Sequence, residues 1–161
     1  AIEEVMDPRG ASCLIIGAGG TATAIARALK ERGCQISITN RTREKGLVLA
    51  EFVGGRFFSE RDLTGHSFDL VVQATPLGMF PNTDSWPLDP CSIKASLAMD
   101  VVYNPMKTKF LRGCEARGSK IILGYKMFLH QAALQLRLFL DIDPPIHLME
   151  KIILEALDES D

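Results

Sequence analysis

The sequence predicts an α/β domain of three layers: a doubly wound, parallel, six-stranded sheet covered by helices on both faces. Three observations carry that expectation. Short β-rich apolar runs alternate with segments of helical apolar spacing along most of the chain. The connections between them are short, and no internal repeat or low-complexity stretch interrupts them. The first apolar run ends in glycines and turns directly into a helical pattern, Cys13-Leu14-Ile15-Ile16-Gly17-Ala18-Gly19-Gly20-Thr21-Ala22.

Taken in order, Ile2 to Met6 reads as the tail of an amphipathic helix, broken by the turn-forming Asp7-Pro8-Arg9-Gly10. Ser12 to Ile16 is the first strand and Thr21 to Arg32 the first helix, stopped by Gly33. Gln35 to Asn40 alternates and is β-rich, so it is the second strand; a helix follows from Thr42, as N-cap, to Phe52. A third short strand lies within Gly54 to Phe58. Phe68 to Gln73 is apolar enough for a fourth, buried on both faces. Ala74 to Pro90, rich in Pro, Gly, Asn and Asp, is an ordered loop, with Trp86 as its packing anchor. Leu97 to Val102 is the fifth strand, Lys109 to Arg117 a helix and Lys120 to Leu123 the sixth strand. Met127 to Leu140 and, past the Pro144-Pro145 stop, His147 to Leu157 are the closing helices. Residues 1–10 form a helix end and linker, and 11–161 the domain.

Composition narrows the function classes. A chain of 161 residues with 18 basic and 20 acidic side chains has a net charge of -2, which indicates neither a nucleic-acid footprint nor an acidic tail. The four cysteines are widely spaced without a CxxC pair, as expected of reduced thiols rather than of a disulfide frame or a metal site. The N-terminus is short and acidic, unlike a signal peptide, and no apolar run approaches membrane-spanning length. A soluble cytoplasmic protein is expected, with no nucleic acid, membrane or metal among its partners.

Gly17, Gly19 and Ala22 fit the GxGxxG/A pattern of Rossmann-type dinucleotide folds, in the strand-to-helix context that gives the pattern its meaning. Gly17 permits the turn, Gly19 lets the backbone approach a pyrophosphate, and Ala22 lets the helix lie close to the sheet. The helix N-terminus then faces the anion. A glycine-rich turn without a ligand is the competing reading. An NAD site usually carries an acidic residue at the end of the second strand; here that stretch is Asn40-Arg41-Thr42-Arg43, with no carboxylate from Gln35 to Arg43. NADP is therefore expected, with Arg41 on the 2′-phosphate, Asn40 and Thr42 donating hydrogen bonds, and Arg43 or Lys45 adding positive field. A solvated basic run is the alternative for these cations.

Three further stretches follow the later strands: Gln73-Ala74-Thr75-Pro76-Leu77-Gly78-Met79, Asp100-Val101-Val102-Tyr103-Asn104-Pro105 with Thr108, and Gly124-Tyr125-Lys126-Met127 through Gln131. All lie where such a fold places its ligands. With the glycine turn and the NRT after the second strand, these blocks resemble, from about Ile2 to Leu154, the cofactor-binding domain of shikimate dehydrogenases, which reduce 3-dehydroshikimate with NADPH on the way to chorismate and the aromatic amino acids. The resemblance implies that Gly17, Ala18, Gly19, Gly20, Thr21 and Ala22 hold the pyrophosphate and that Asn40, Arg41 and Thr42 hold the adenosine phosphate. It also implies that Ala74, Thr75, Val101, Gly124 and Met127 line the nicotinamide and its ribose, and that Tyr103 and Gln131 reach the substrate. Gln73 stands where the family commonly has Asn, and Tyr125-Lys126 is bulkier than the residues often found there.

The family's proton donor is a lysine paired with an aspartate, in an N-terminal substrate domain that this chain lacks. Lys107, Lys109 and Lys126 have no carboxylate partner evident in the sequence, so no catalytic residue is assigned. Asp100 is expected to serve a structural hydrogen-bonding role. His66, His130 and His147 have no second ligand at metal spacing. A shikimate dehydrogenase half is the reading; an NAD(P)-dependent quinate/shikimate dehydrogenase, a non-catalytic nucleotide-binding module of a regulator or fusion, and an interaction domain with a vestigial site are the alternatives.

Overall fold

Six strands, β1 (Ser12–Ile16), β2 (Gln35–Thr39), β3 (Arg56–Phe57), β4 (Ser67–Gln73), β5 (Lys94–Asp100) and β6 (Lys120–Ile122), form one sheet in the order β3-β2-β1-β4-β5-β6. Every pairing is parallel. The order reverses between β1 and β4, the point at which a doubly wound sheet opens a crevice above its carboxyl ends. These features come from a computed structural model in which residues 1–158 are described. Residues 159–161 of the expected domain lie outside the described residues.

The sheet is buried on both faces, as the β-branched composition of β1 and β4 requires. One face packs Cys13, Ile15, Leu70, Val72 and Met99 under Ala22, Ala26 and Leu29 of α1 (Gly20–Glu31) and Leu49 of α2 (Arg43–Phe52). The spacing of Ala22, Ala26 and Leu29 is one helical stripe, and its two alanines let α1 lie close to the strands. Gly33 ends α1 with a positive φ of 84°, and the Cys34 N–H donates back to the Leu29 carbonyl at 3.1 Å. The opposite face packs Leu14, Ile16, Val71 and Ala98 under Phe110, Leu111 and Cys114 of α3 (Lys109–Ala116). No helix connects β4 to β5. Two 3-10 turns, Glu60–Leu63 and Pro90–Ser92, and the loop between β4 and β5 cover that part of the face with Leu63, Leu88 and Ile93.

Most boundaries fall within a residue of expectation, and four differences are larger. The N-terminal segment is a single 3-10 turn, Ile2–Glu4, because Asp7-Pro8 follows too closely for an α-helical run. β5 begins at Lys94 and ends at Asp100, where its carboxylate accepts from the Val102 N–H and closes a tight turn. The helix after β6 is α4 (Gly124–Leu140), one turn longer than the apolar periodicity indicates, because Gly124 itself begins it. The two 3-10 turns have no apolar period; their only sequence signals are caps, Ser59 with Asp62 for the first and Asp89-Pro90 for the second. The last helix, α5 (Ile146–Asp158), follows the proline pair as expected.

Candidate functional site

Backbone bonds extend the sheet past the strand ends and set the site in a line. The Gly17 N–H donates to the Thr39 carbonyl at 2.8 Å, the Ala74 N–H to Ile16 at 2.9 Å, and the Val101 N–H to Gln73 at 3.0 Å. The first residues beyond β1, β4 and β5 are thereby aligned along one edge. Above β1, β2 and β4 lies a cavity of about 980 Å³ bordered by Gly17, Ala18 and Gly19, by Asn40, Arg41, Thr42, Arg43 and Lys45, and by Ala74 and Thr75. In the sequence these ten residues belong to three separate motifs. A volume near 1,000 Å³ is large for a small substrate and suits a dinucleotide-sized ligand lying across the crevice. Larger-than-glycine side chains would fill part of it: at Gly17, where φ is 121°, a Cβ would sit 3.0 Å from the Ala74 carbonyl oxygen.

Two helix N-termini open onto this cavity without a side-chain cap. Gly19 stands at the N-cap of α1 and Thr42 at that of α2, and neither makes a capping hydrogen bond. Thr42 thus occupies the position expected of it without doing a cap's work, and its carbonyl instead accepts from Asn40 Nδ2 at 2.8 Å. By contrast α3, which does not border the cavity, is capped by Thr108 Oγ1, which accepts from the Leu111 N–H at 3.3 Å. Uncapped first-turn N–H groups beside an open cavity are anion-binding groups in waiting.

The cations divide by role. Arg43 lies over the Phe57 ring at 5.2 Å, a cation–π contact that occupies it, and Gly46 leaves room for Phe57 where a Cβ would meet the ring at 2.4 Å. Arg41 is exposed and has no ion-pair partner among the described residues. Lys45 is exposed too and lines the cavity. Ala22 is fully buried beneath the turn, and Gly20 and Thr21 lie on the exposed first turn of α1, outside the cavity wall.

Val101, Tyr103, Gly124, Met127 and Gln131 do not border that cavity; they follow β5 and β6, in the turn after β5 and on α4. A Cβ on Gly124 would lie 2.3 Å from the Val102 carbonyl oxygen and 2.8 Å from that of Asp100, so α4 starts in backbone contact with the turn after β5. The Tyr103 and Phe128 rings stack with centroids 5.1 Å apart, joining that turn to α4 a second time. Tyr103 and Gln131 are both exposed.

Gln73 and Asp100 are fully buried at the ends of β4 and β5 and pair in register. The Gln73 amide ties down its own loop, Nε2 donating to the Leu77 carbonyl at 2.9 Å and Oε1 accepting from the Thr75 N–H, and it also acts on Asp100. Asp100 Oδ2 accepts from Thr108 Oγ1 at 2.6 Å and Oδ1 from the Val102 N–H at 2.9 Å, the structural bonding expected of it. Burial outweighs the Thr108, Val102 and Gln73 bonds and pushes its carboxyl up from 3.8 to about 6. The fold therefore holds this proton more tightly than the unfolded chain does. Stability from this group is full at low pH and is lost as pH rises from about 4 to about 6, by an amount on the order of 1–3 kcal/mol. Comparing urea unfolding at about pH 4 and about pH 7 should show that loss in the wild type and its absence in Asp100→Asn, over and above the opposite trend of the other carboxylates. Equal pH dependences in the two proteins would show that Asp100 titrates normally.

Several residues on the cavity wall have no sequence signal. Phe57 at the end of β3, Ser59 and Glu60 after it, and Trp86 and Asp89 on the β4–β5 loop also line it. They belong to no motif; only the topology, which brings both loops to the carboxyl edge, could have pointed to them. Trp86 is not the buried anchor expected: it is 39% exposed, and Lys109 Nζ sits 4.8 Å above its ring while donating to the Asp84 carbonyl at 2.9 Å.

The lysines also acquire partners that the sequence does not disclose. Lys107 pairs with Glu115, and Lys126 with Glu150 of α5, whose Oε1 also lies 3.3 Å from the Tyr125 hydroxyl. The Glu150 hydrogen bond raises Lys126 above its ordinary value. That is the wrong direction for a group exchanging protons near neutrality. Among the described residues no group of three or more His, Cys, Asp or Glu could hold a metal, and no helix is long and apolar enough to cross a membrane.

Comparison with known proteins follows the same outline. Residues 1–77 match the family described as Shikimate / quinate 5-dehydrogenase, and residues 124–154 match the Shikimate 5'-dehydrogenase C-terminal domain. Shikimate dehydrogenase (NADP(+)) of Methanosarcina mazei is 36% identical over 164 residues, covering 92% of this chain and 57% of the relative. The enzyme of the same name from Methanothermobacter thermautotrophicus is also 36% identical, covering 98% of this chain and 60% of that protein. Among solved structures, shikimate 5-dehydrogenase from Thermus thermophilus in complex with NADP(H) and shikimate superposes with a TM-score of 0.84 at 34% identity, over 92% of this chain and 56% of that one. The chain thus spans between half and two thirds of the length of these relatives.

Proposed function

This chain belongs to the shikimate dehydrogenase family, and from that premise we propose that it is the NADP-binding domain of an enzyme that interconverts 3-dehydroshikimate and shikimate. The observation that carries the reading is the pair of uncapped helix N-termini opening, beside the unpaired Arg41, onto one dinucleotide-sized cavity. The N–H groups of the Gly17 to Ala22 turn bind the pyrophosphate, neutralising it with the α1 dipole. Asn40, Arg41 and Thr42 bind the 2′-phosphate, with Lys45 adding positive charge. A carboxylate at this point would select the unphosphorylated ribose instead.

Ala74 and Thr75 on one side and Val101, Gly124 and Met127 on the other orient the nicotinamide end and exclude water from it. NADP supplies the hydride chemistry when bound. Tyr103 donates to a substrate carboxylate or hydroxyl, and Gln131 both donates and accepts, as a polyhydroxylated ring demands. The proton comes from a lysine on a substrate domain joined to residues 1–10 as linker or supplied separately. Within this domain Lys126 is tied to Glu150 and plays no such part. The protein acts in the cytoplasm on a small molecule, without metal, nucleic acid or membrane partners.

Fluorescence titration of the chain with NADPH and NADH, joined to a shikimate oxidation assay, tests this. Saturable NADPH binding at least about tenfold tighter than NADH, without turnover, is expected. Failure to bind either nucleotide would remove the reading, and turnover by the chain alone would place the proton donor within it.

A further inference from the structure

The wall of the large cavity carries charge of both signs. Besides Arg41 and Lys45 it includes the carboxylates of Glu60 and Asp89 and the ring of Trp86. Glu60 is exposed and has no ion pair among the described residues; Asp89 Oδ1 accepts from the Cys91 N–H at 2.8 Å, and its Oδ2 makes no hydrogen bond among them. Carboxylates repel a phosphate, so this stretch of wall faces a different part of any ligand that the cations hold.

Among the described residues two aromatic rings border the cavity, and one has a face to offer. Phe57 packs against the core, has Arg43 over its ring at 5.2 Å, and fills the space that Gly46 leaves. Trp86 belongs to neither core cluster and is 39% exposed; Lys109 Nζ stands 4.8 Å over one face of its ring, and no other ring or cation lies over it among the described residues. The backbone is nevertheless fixed on both sides of it. Ser85 Oγ accepts from the Gly78 N–H at 3.1 Å and donates to the Asn82 carbonyl at 3.0 Å, and Leu88, two residues on, is buried in the core. A flat apolar face held in place at a cavity wall is preorganised for a flat partner.

We propose that Trp86 is the platform on which the adenine of the cofactor stacks, with the exocyclic amine of the base turned toward the carboxylates of Asp89 and Glu60. The inference rests on the reading of the cavity as an NADP site. Two anchors limit where the base can go. The pyrophosphate takes the N-terminus of α1 and the 2′-phosphate takes Arg41, and the base hangs from the ribose carbon next to the one that bears that phosphate. It lies in the same cavity, on wall that is flat and free of phosphate-binding groups. Trp86 supplies the flat face. Stacking on an aromatic ring accepts any base, so the choice of base falls to the carboxylates: they accept from the amine of adenine and repel the carbonyl oxygen that hypoxanthine has in its place.

Trp86 is the only tryptophan of the chain, so its emission reports the contact directly. The probe is adenosine 2′,5′-bisphosphate, which has the base and the 2′-phosphate but no nicotinamide to absorb indole emission. Saturable quenching by this probe is expected, and none by nicotinamide mononucleotide. Trp86→Leu, followed by calorimetry, should bind the probe and NADPH about tenfold more weakly, whereas Trp86→Phe, which keeps a flat face, should stay within about threefold of the wild type. NADPH with hypoxanthine in place of adenine should bind the wild type at least about tenfold more weakly than NADPH, and Asp89→Asn with Glu60→Gln, whose amides can donate to the carbonyl oxygen, should narrow that gap. Binding of the probe with unchanged emission, or with the same dissociation constant in Trp86→Leu, overturns the platform and leaves the cofactor reading standing. Equal affinity for the two bases overturns the role of the carboxylates. If neither the probe nor NADPH binds, the platform and the cofactor reading fall together.

Discussion

Arg41→Asp is expected to weaken NADPH binding by about two orders of magnitude and NADH binding by less than about threefold. A charge-assisted bond to a phosphate is worth about 1.5–3 kcal/mol, and reversing the charge adds repulsion to its loss. The prediction is specific to Arg41 because its neighbours are differently employed: Arg43 is held over Phe57, and Asn40 Nδ2 is bonded to the Thr42 carbonyl. Arg41 is exposed and has no intramolecular ion pair among the described residues, so its replacement should leave the unfolding midpoint unchanged, which separates a binding effect from a folding one. Parallel titrations with the two nucleotides read the result. Equal weakening of both would reassign Arg41 from the phosphate to general field.

Gly124→Val is expected to cost about 3–5 kcal/mol of stability, enough to leave much of the protein unfolded at ambient temperature. The space a Cβ needs there holds two backbone carbonyl oxygens, at 2.3 Å and 2.8 Å, and neither can rotate away like a side chain. Nor can α4 withdraw, because Tyr125 and Leu129 anchor it in the interior. Gly19 is the opposite case, with nothing within 4 Å of its notional Cβ. Gly19→Ala should keep the wild-type unfolding midpoint and lose NADPH affinity, since the methyl enters the space the pyrophosphate would take. Urea unfolding and nucleotide titration of the two variants distinguish a glycine required by the fold from one required by the ligand. If Gly19→Ala binds NADPH as the wild type does, the close approach of backbone to phosphate is wrong.

What could be read beforehand was what is written locally. A parallel, doubly wound sheet follows from alternation of elements, and the glycine turn, Arg41 and the blocks after β4, β5 and β6 are contiguous residues whose chemistry is visible in one dimension. The structure brings the glycine turn, Arg41 and the start of the block after β4 to one cavity wall. What escaped was contact between segments distant in sequence. Lys126 meets Glu150 only because α5 folds back on α4, 24 residues later. Trp86 borders the cavity and meets Lys109, 23 positions on, across its ring. The start of α4 at Gly124 was missed for a different reason: glycine scores as a helix breaker, and only its fit against Val102 explains its place as the first helical residue.

The absent helix between β4 and β5 carries a consequence for how this domain can vary. A helix has a fixed rise and must match the sheet, whereas the segment from Met79 to Trp86 is tied down only at its ends and margins. The Gly78 N–H donates to Ser85 Oγ at 3.1 Å, the Phe80 N–H to the Asn104 carbonyl at 3.0 Å, and Lys109 Nζ to Asp84. Between these ties Pro81 and Asn82 form an exposed tip, closed on itself by the Asn82 N–H donating to the Met79 carbonyl at 2.9 Å and Ser85 Oγ donating to the Asn82 carbonyl at 3.0 Å, whose length the sheet does not register. Insertions there would leave the strands, the glycine turn and Arg41 in place while deepening or shortening the wall that Trp86 and Asp89 present. In this domain the depth of the ligand cleft is adjustable by indel, independently of the motifs that define what the cleft holds.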